Sequence, residues 1–178
     1  MTDLFTTQLY KETKPFHTIV DKHPFVQLIR KNPNAAKLYI DFNKICIHTI
    51  QQNTEPFDKS LFNRLKRNID NNDIPFDISP NFKTLLQRCK EFPIEHSYMF
   101  YLGLMMGYKI LDKYVKDDIL SYNDSEIKPL INDFKHFLNT TIDNQKEFIS
   151  TVSQSYLCIN KIFDEYQEQL THQFSIDP

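Results

Sequence analysis

Glycine occurs twice in 178 residues, at Gly103 and Gly107, and both stand inside one apolar stretch, Pro93 to Val115. A chain so poor in the residue that supplies turns with positive φ, and with no β-branched alternation, reads as helical throughout. Proline and Asx residues supply the punctuation. Helices are expected at about 3–22, 25–31, 34–53, 58–70, 80–91, 94–119, 125–148 and 151–172. Asn34, Asp58 and the Ser79-Pro80 pair are start signals, and Asn68–Pro75 reads as a loop. Apolar residues at helical period form the stripes Leu38, Phe42, Ile45, Thr49; Phe134, Leu138, Ile142, Ile149; and Val152, Tyr156, Ile159, Phe163, Tyr166. Nothing resembles a linker, a repeat or a low-complexity tail, so one all-α domain over residues 1–178 is expected.

Each glycine inside a helix costs about 1 kcal/mol relative to alanine. The spacing of four places both bare positions on one helix face, where something can approach the backbone closely. That something is either another helix or a flat ligand.

Fifteen Phe and nine Tyr without any Trp point to a core or pocket built from flat rings. A net charge of −2 provides no field for nucleic acid or an anionic membrane surface. Cys46, Cys89 and Cys158 are isolated, with no CxxC or metal-ligand spacing, and read as free thiols of a reducing compartment. The N-terminal residues lack the basic and apolar regions of a secretory signal, and no apolar run approaches a bilayer span. A soluble, cytoplasmic protein without a membrane anchor is expected.

No Ser-His-Asp order, phosphate loop or HExxH motif is present. The paired carboxylates Asp117-Asp118, and Glu165 with Glu168, fit solvated helix ends. Of the six histidines, His17 and His96 stand out. Asp21 lies one helical turn beyond His17 and can accept a hydrogen bond that orients its imidazole. His96 lies seven residues before Gly103; a structural histidine satisfied by hydrogen bonds is the ordinary reading there.

Three blocks together resemble the all-helical, biliverdin-producing heme oxygenases. Lys11-Glu-Thr-Lys-Pro-Phe-His-Thr18 is similar to the first-helix segment that carries the proximal iron ligand. Glu95-His-Ser-Tyr-Met-Phe-Tyr-Leu-Gly103, continuing to Gly107, is similar to the distal helix that closes over heme. Ser155 to Leu170 is similar to the final core helix. The resemblance implies a single helical bundle with heme sandwiched between proximal and distal helices. It implies His17 as the axial iron ligand, Asp21 as its support, and Gly103 and Gly107 flanking the oxygen site. It further implies Tyr98, Lys135 and Lys11 near the heme propionates.

The departures concern the distal helix. The position of the family's distal aspartate, which holds a proton-delivering water network, is Leu104, and leucine can neither donate nor accept. Phe100 stands for a distal arginine, Tyr108 for a glycine, and Asn139 for a propionate-binding arginine. Tyr10 stands where a lysine often occurs, although Lys11 is adjacent, and Pro15 precedes His17 by two residues. The resemblance implies opening of heme to biliverdin, iron and carbon monoxide, with molecular oxygen and an external electron donor such as a reductase or ferredoxin. Leu104 and the lost basic residues favour the alternative, a non-catalytic heme-binding sensor, carrier or sink. A heme-free helical interaction module, with the glycines serving helix packing, is a third reading.

Overall fold

The computed structural model describes residues 4–53, 78–114 and 123–175. Among the described residues there are seven helices and no strand: α1 Phe5–Asp21, α2 Pro24–Leu28, α3 Pro33–Asn53, α4 Pro80–Glu91, α5 Pro93–Leu111, α6 Asp124–Thr141 and α7 Gln145–Ser175. The helix expected at 58–70, the Asp58 signal, the Asn68–Pro75 loop and Asp117-Asp118 lie outside the described residues.

Capping chemistry accounts for where the helices start. Ser79 Oγ accepts from the Phe82 N–H at 3.1 Å, with Pro80 at the first helical position, as expected. For α3 the cap is Asn32 rather than Asn34: its Oδ1 accepts from the N–H groups of Asn34 (2.9 Å) and Ala35 (3.4 Å). Pro33 then opens the helix without an N–H to satisfy. The helix expected to reach residue 148 ends at Thr141, and α7 begins at Gln145 rather than 151. The cause is Asn144, whose Oδ1 accepts from the Glu147 N–H (3.1 Å) while its Nδ2 donates to Glu147 Oε2 (3.0 Å). Helix α5 stops at Leu111 rather than near 119, with the Tyr114 N–H turning back to Leu111 O at 2.9 Å.

Helix α7 packs against α1, α2, α3, α4 and α5. Its Phe163 is buried at the centre of an aromatic cluster, with ring centroids 4.9 Å from Phe25 and 5.3 Å from Phe42. Phe42 extends the cluster to Phe82 (5.3 Å) and Phe100 (5.9 Å). Each fully buried Phe stabilises the fold by about 1.5–3 kcal/mol, so flat rings form the core in place of tryptophan. Cys46 and Cys89 are wholly buried here and Cys158 half-buried, all as free thiols.

Two contacts fix α1, the helix that carries His17. Leu4, the residue preceding α1, offers no side-chain cap; Asn139 of α6 supplies one, its Oδ1 accepting from the Thr6 N–H at 2.9 Å. At the other end, buried His23 joins α1 to α2. Its Nδ1 accepts from the Phe25 N–H (3.0 Å), so Nε2 carries the hydrogen and donates to Asp164 of α7 at 2.7 Å.

Candidate functional site

Helix α1 turns Phe5, Leu9 and Thr13 into the core and leaves Tyr10, Lys14, His17 and Asp21 exposed on a neighbouring stripe. The His17 ring meets the Tyr156 ring of α7 edge-on, with centroids 5.4 Å apart and planes at 76°. Among the described residues no hydrogen bond holds its imidazole. Asp21 is the last residue of α1; its carbonyl accepts from Gln27 Nε2 at 3.3 Å, and its carboxylate is solvent-facing.

Helix α5 presents the opposite balance, a mostly buried helix with one bare stripe. Met99, Phe100, Tyr101, Leu102, Leu104 and Met105 are buried. Gly103, Gly107 and the exposed Met106 (63 %) and Ile110 (57 %) share the remaining face. A methyl group added at either glycine would meet no neighbouring atom of the described residues within 4 Å. Neither glycine has a positive φ. The two glycines therefore serve neither helix packing within the described residues nor a turn. Among the described residues nothing covers their face.

The two helices meet at Thr13 and Tyr98. Burial raises the Tyr98 phenol above its ordinary range, its hydrogen bond to Thr13 offsets part of that, and Tyr10 adds to it. The Tyr98 ring also packs edge-on against Phe148 at 6.2 Å. His17 lies one turn beyond Thr13 on α1, and Gly103 lies five residues beyond Tyr98 on α5. Lys11 is exposed on α1, and Lys14 Nζ stands 5.8 Å over the Tyr10 ring. Lys135 is exposed on α6, one turn before the Asn139 that caps α1. At the far end, the Arg30 guanidinium lies 5.7 Å over the Tyr114 ring.

Leu104 is 2 % exposed and belongs to the hydrophobic core. Phe100, beside it on the helix, packs on Phe42. Leu104 and Phe100, which stand where the resemblance implies an aspartate and an arginine, thus build a dry interior.

His96 is structural. The Phe92 carbonyl can only accept, so Nδ1 carries the hydrogen and donates to it at 2.7 Å. Nε2 then accepts from the Ser155 hydroxyl at 2.8 Å, and Ser155 Oγ accepts from Arg88 Nε at 2.8 Å. Arg88 Nη2 donates onward to Thr151 O at 2.9 Å. Burial lowers the His96 pKa to about 4; the Phe92 hydrogen bond opposes this and Arg88 reinforces it. The network joins α4, α5 and α7 at the start of the glycine helix.

Sequence reasoning missed the Tyr156–His17 contact and the Asn139 cap. Tyr156 occupies an ordinary core stripe, and no local signal distinguishes it. Among the described residues no cluster of three or more His, Cys, Asp and Glu side chains is arranged to hold a metal ion. No helix among them is long and apolar enough to cross a membrane.

No protein-family model and no curated protein matches the chain. Solved structures do. A crystal structure of heme oxygenase-1 from the cyanobacterium Synechocystis sp. PCC6803, in complex with heme, superposes with a TM-score of 0.73 at 18 % identity, covering 98 % of this chain and 97 % of that one. A heme oxygenase from Leptospira interrogans superposes with a TM-score of 0.61 at 17 % identity, covering 92 % of this chain and 100 % of that one. Together with the helix order and the all-helical core, these superpositions show that the chain has the heme oxygenase-like fold.

Proposed function

We propose that the chain binds heme between α1 and α5, with His17 as the axial ligand, and opens it oxidatively to biliverdin, iron and carbon monoxide. The observation that carries this reading is the open glycine face. Two helical glycines together forfeit about 2 kcal/mol relative to alanine, with no return from any contact inside the described fold. A flat macrocycle passing close to the backbone supplies that return. The residues present fit it: an exposed imidazole and a helix face that, among the described residues, have neither a hydrogen bond nor a cover, with apolar Met106 and Ile110 alongside.

His17 would supply one nitrogen to the iron, with the exposed Asp21 one turn away on the same helix. Gly103 and Gly107 would let a flat ring approach the α5 backbone. Lys11 and Lys135 are exposed cations on α1 and α6, and Tyr98 carries a hydroxyl, groups whose chemistry would suit propionate carboxylates. Heme, when bound, supplies the oxygen chemistry, and the protein supplies ligation, orientation and control of water. An external reductase or ferredoxin supplies electrons.

One observation favours the second reading, a heme holder without turnover. Leu104 and Phe100 make the interior beside the glycine face apolar, so no carboxylate or guanidinium there holds a water chain. A single-turnover assay with hemin, ascorbate or a reductase, and a carbon monoxide trap separates the two. Loss of the Soret band with biliverdin absorbance and trapped carbon monoxide supports ring opening. A stable heme complex without either product establishes the holder.

A further inference from the structure

His17 stands on the exposed face of α1, and without a hydrogen-bonding partner among the described residues its imidazole needs another restraint to present one nitrogen to a ligand. The carboxylate of Asp21, one turn on, is exposed at the end of the helix. Water competes there for every hydrogen bond it could offer. What touches the imidazole is the ring of Tyr156, from a different helix, at 5.4 Å and 76°.

We infer that Tyr156 is the positioning residue of the His17 imidazole, holding it by an edge-to-face ring contact rather than by a hydrogen bond. The inference rests on the assignment of His17 as the heme ligand.

The geometry suits the task. An edge-to-face pair places the positive rim of one ring on the negative face of the other, and it resists rotation of either. Tyr156 is itself held. It lies on the α7 stripe with Val152, Ile159 and Phe163, all buried, so its ring is set by the core while one side reaches α1. Helices α1 and α7 pack along much of their length, so the contact bridges two rigid elements. An imidazole whose ring is already oriented loses less freedom when it ligates, which raises affinity without adding a contact to the ligand.

The test has a heme-free arm and a heme-bound arm. In the heme-free protein, labelled at histidine and tyrosine, nuclear Overhauser contacts are expected between the His17 and Tyr156 ring protons, together with ring-current shifts of the His17 signals. In the hemin complex, Tyr156→Phe keeps the aromatic ring and should retain the wild-type affinity and iron–histidine stretching band of the ferrous state. Tyr156→Leu should weaken hemin binding by about threefold to tenfold and shift or broaden that band. The inference is overturned if the wild-type ring contacts are absent, a measurement that needs no variant. It is equally overturned if Tyr156→Leu leaves both affinity and band unchanged while His17→Ala abolishes the band. If His17→Ala leaves hemin binding and the band intact, the ligand assignment itself fails, and this inference with it.

Discussion

Asn139 accepts a hydrogen bond from the Thr6 N–H at 2.9 Å across 133 residues of chain, so the helix bearing the candidate iron ligand is capped by α6 rather than by its own sequence. Where the resemblance anticipates a propionate-binding arginine, this chain has a helix cap. Asn139→Ala removes the acceptor and leaves an N–H of the first turn unsatisfied. The expected loss is about 1 kcal/mol, a fall in Tm of roughly 2–4 °C for a domain of this size. Denaturant and thermal midpoints check it; an unchanged midpoint contradicts the capping role.

The glycines give a prediction in which two effects have opposite signs. Gly103→Ala and Gly107→Ala should each stabilise the heme-free protein, by up to about 1 kcal/mol, because an added methyl meets open space. The same substitutions should weaken hemin binding, since the methyl then occupies the face offered to the ring. Paired measurements of unfolding free energy and hemin affinity decide this. Destabilisation by alanine would instead mean that the glycines serve close helix packing.

Leu104→Asp tests the distal helix. The side chain is 2 % exposed in the core, so the new carboxylate must be buried protonated or leave its place. A cost on the order of 2–5 kcal/mol is expected, with no gain in carbon monoxide yield. A folded, stable variant with sharply raised turnover would show that this position reaches a wet distal pocket.

A pH prediction follows from His96. Its folded pKa is lowered to about 4 by burial, against roughly 6.5 in the unfolded chain. Between those values the unfolded state binds more protons, so stability is present above about pH 6.5 and is lost as pH falls toward 4. The amount is on the order of 3 kcal/mol. Urea unfolding of the wild type at pH 7.5 and pH 5 should show the loss. His96→Gln, which can keep a donor and an acceptor, should flatten the slope; equal slopes contradict the assignment.

The helical architecture was legible because it rests on local chemistry. The Ser79-Pro80 start, the α7 stripe and the scarcity of glycine each act within a few residues. The boundary at Asn144 was legible in principle, since Asn-Gln-Lys-Glu147 carries an N-cap followed three residues later by an acid. An apolar period continuing through Ile142 to Ile149 masked it. The candidate site was legible as residues and not as relationships. His17 and the glycines stand out singly, but the edge contact of Tyr156 on His17 and the Asn139 cap join positions far apart in sequence. Only packing creates those contacts, and nothing in the flanking residues announces them.

The most direct test of the central claim is titration of hemin into the wild-type protein and into His17→Ala, followed by absorption. The account predicts a saturable one-to-one complex with a sharp Soret band in the wild type, lost or strongly shifted in His17→Ala while the fold is retained by circular dichroism. A hemin complex identical in both proteins, or no complex in either, would contradict it.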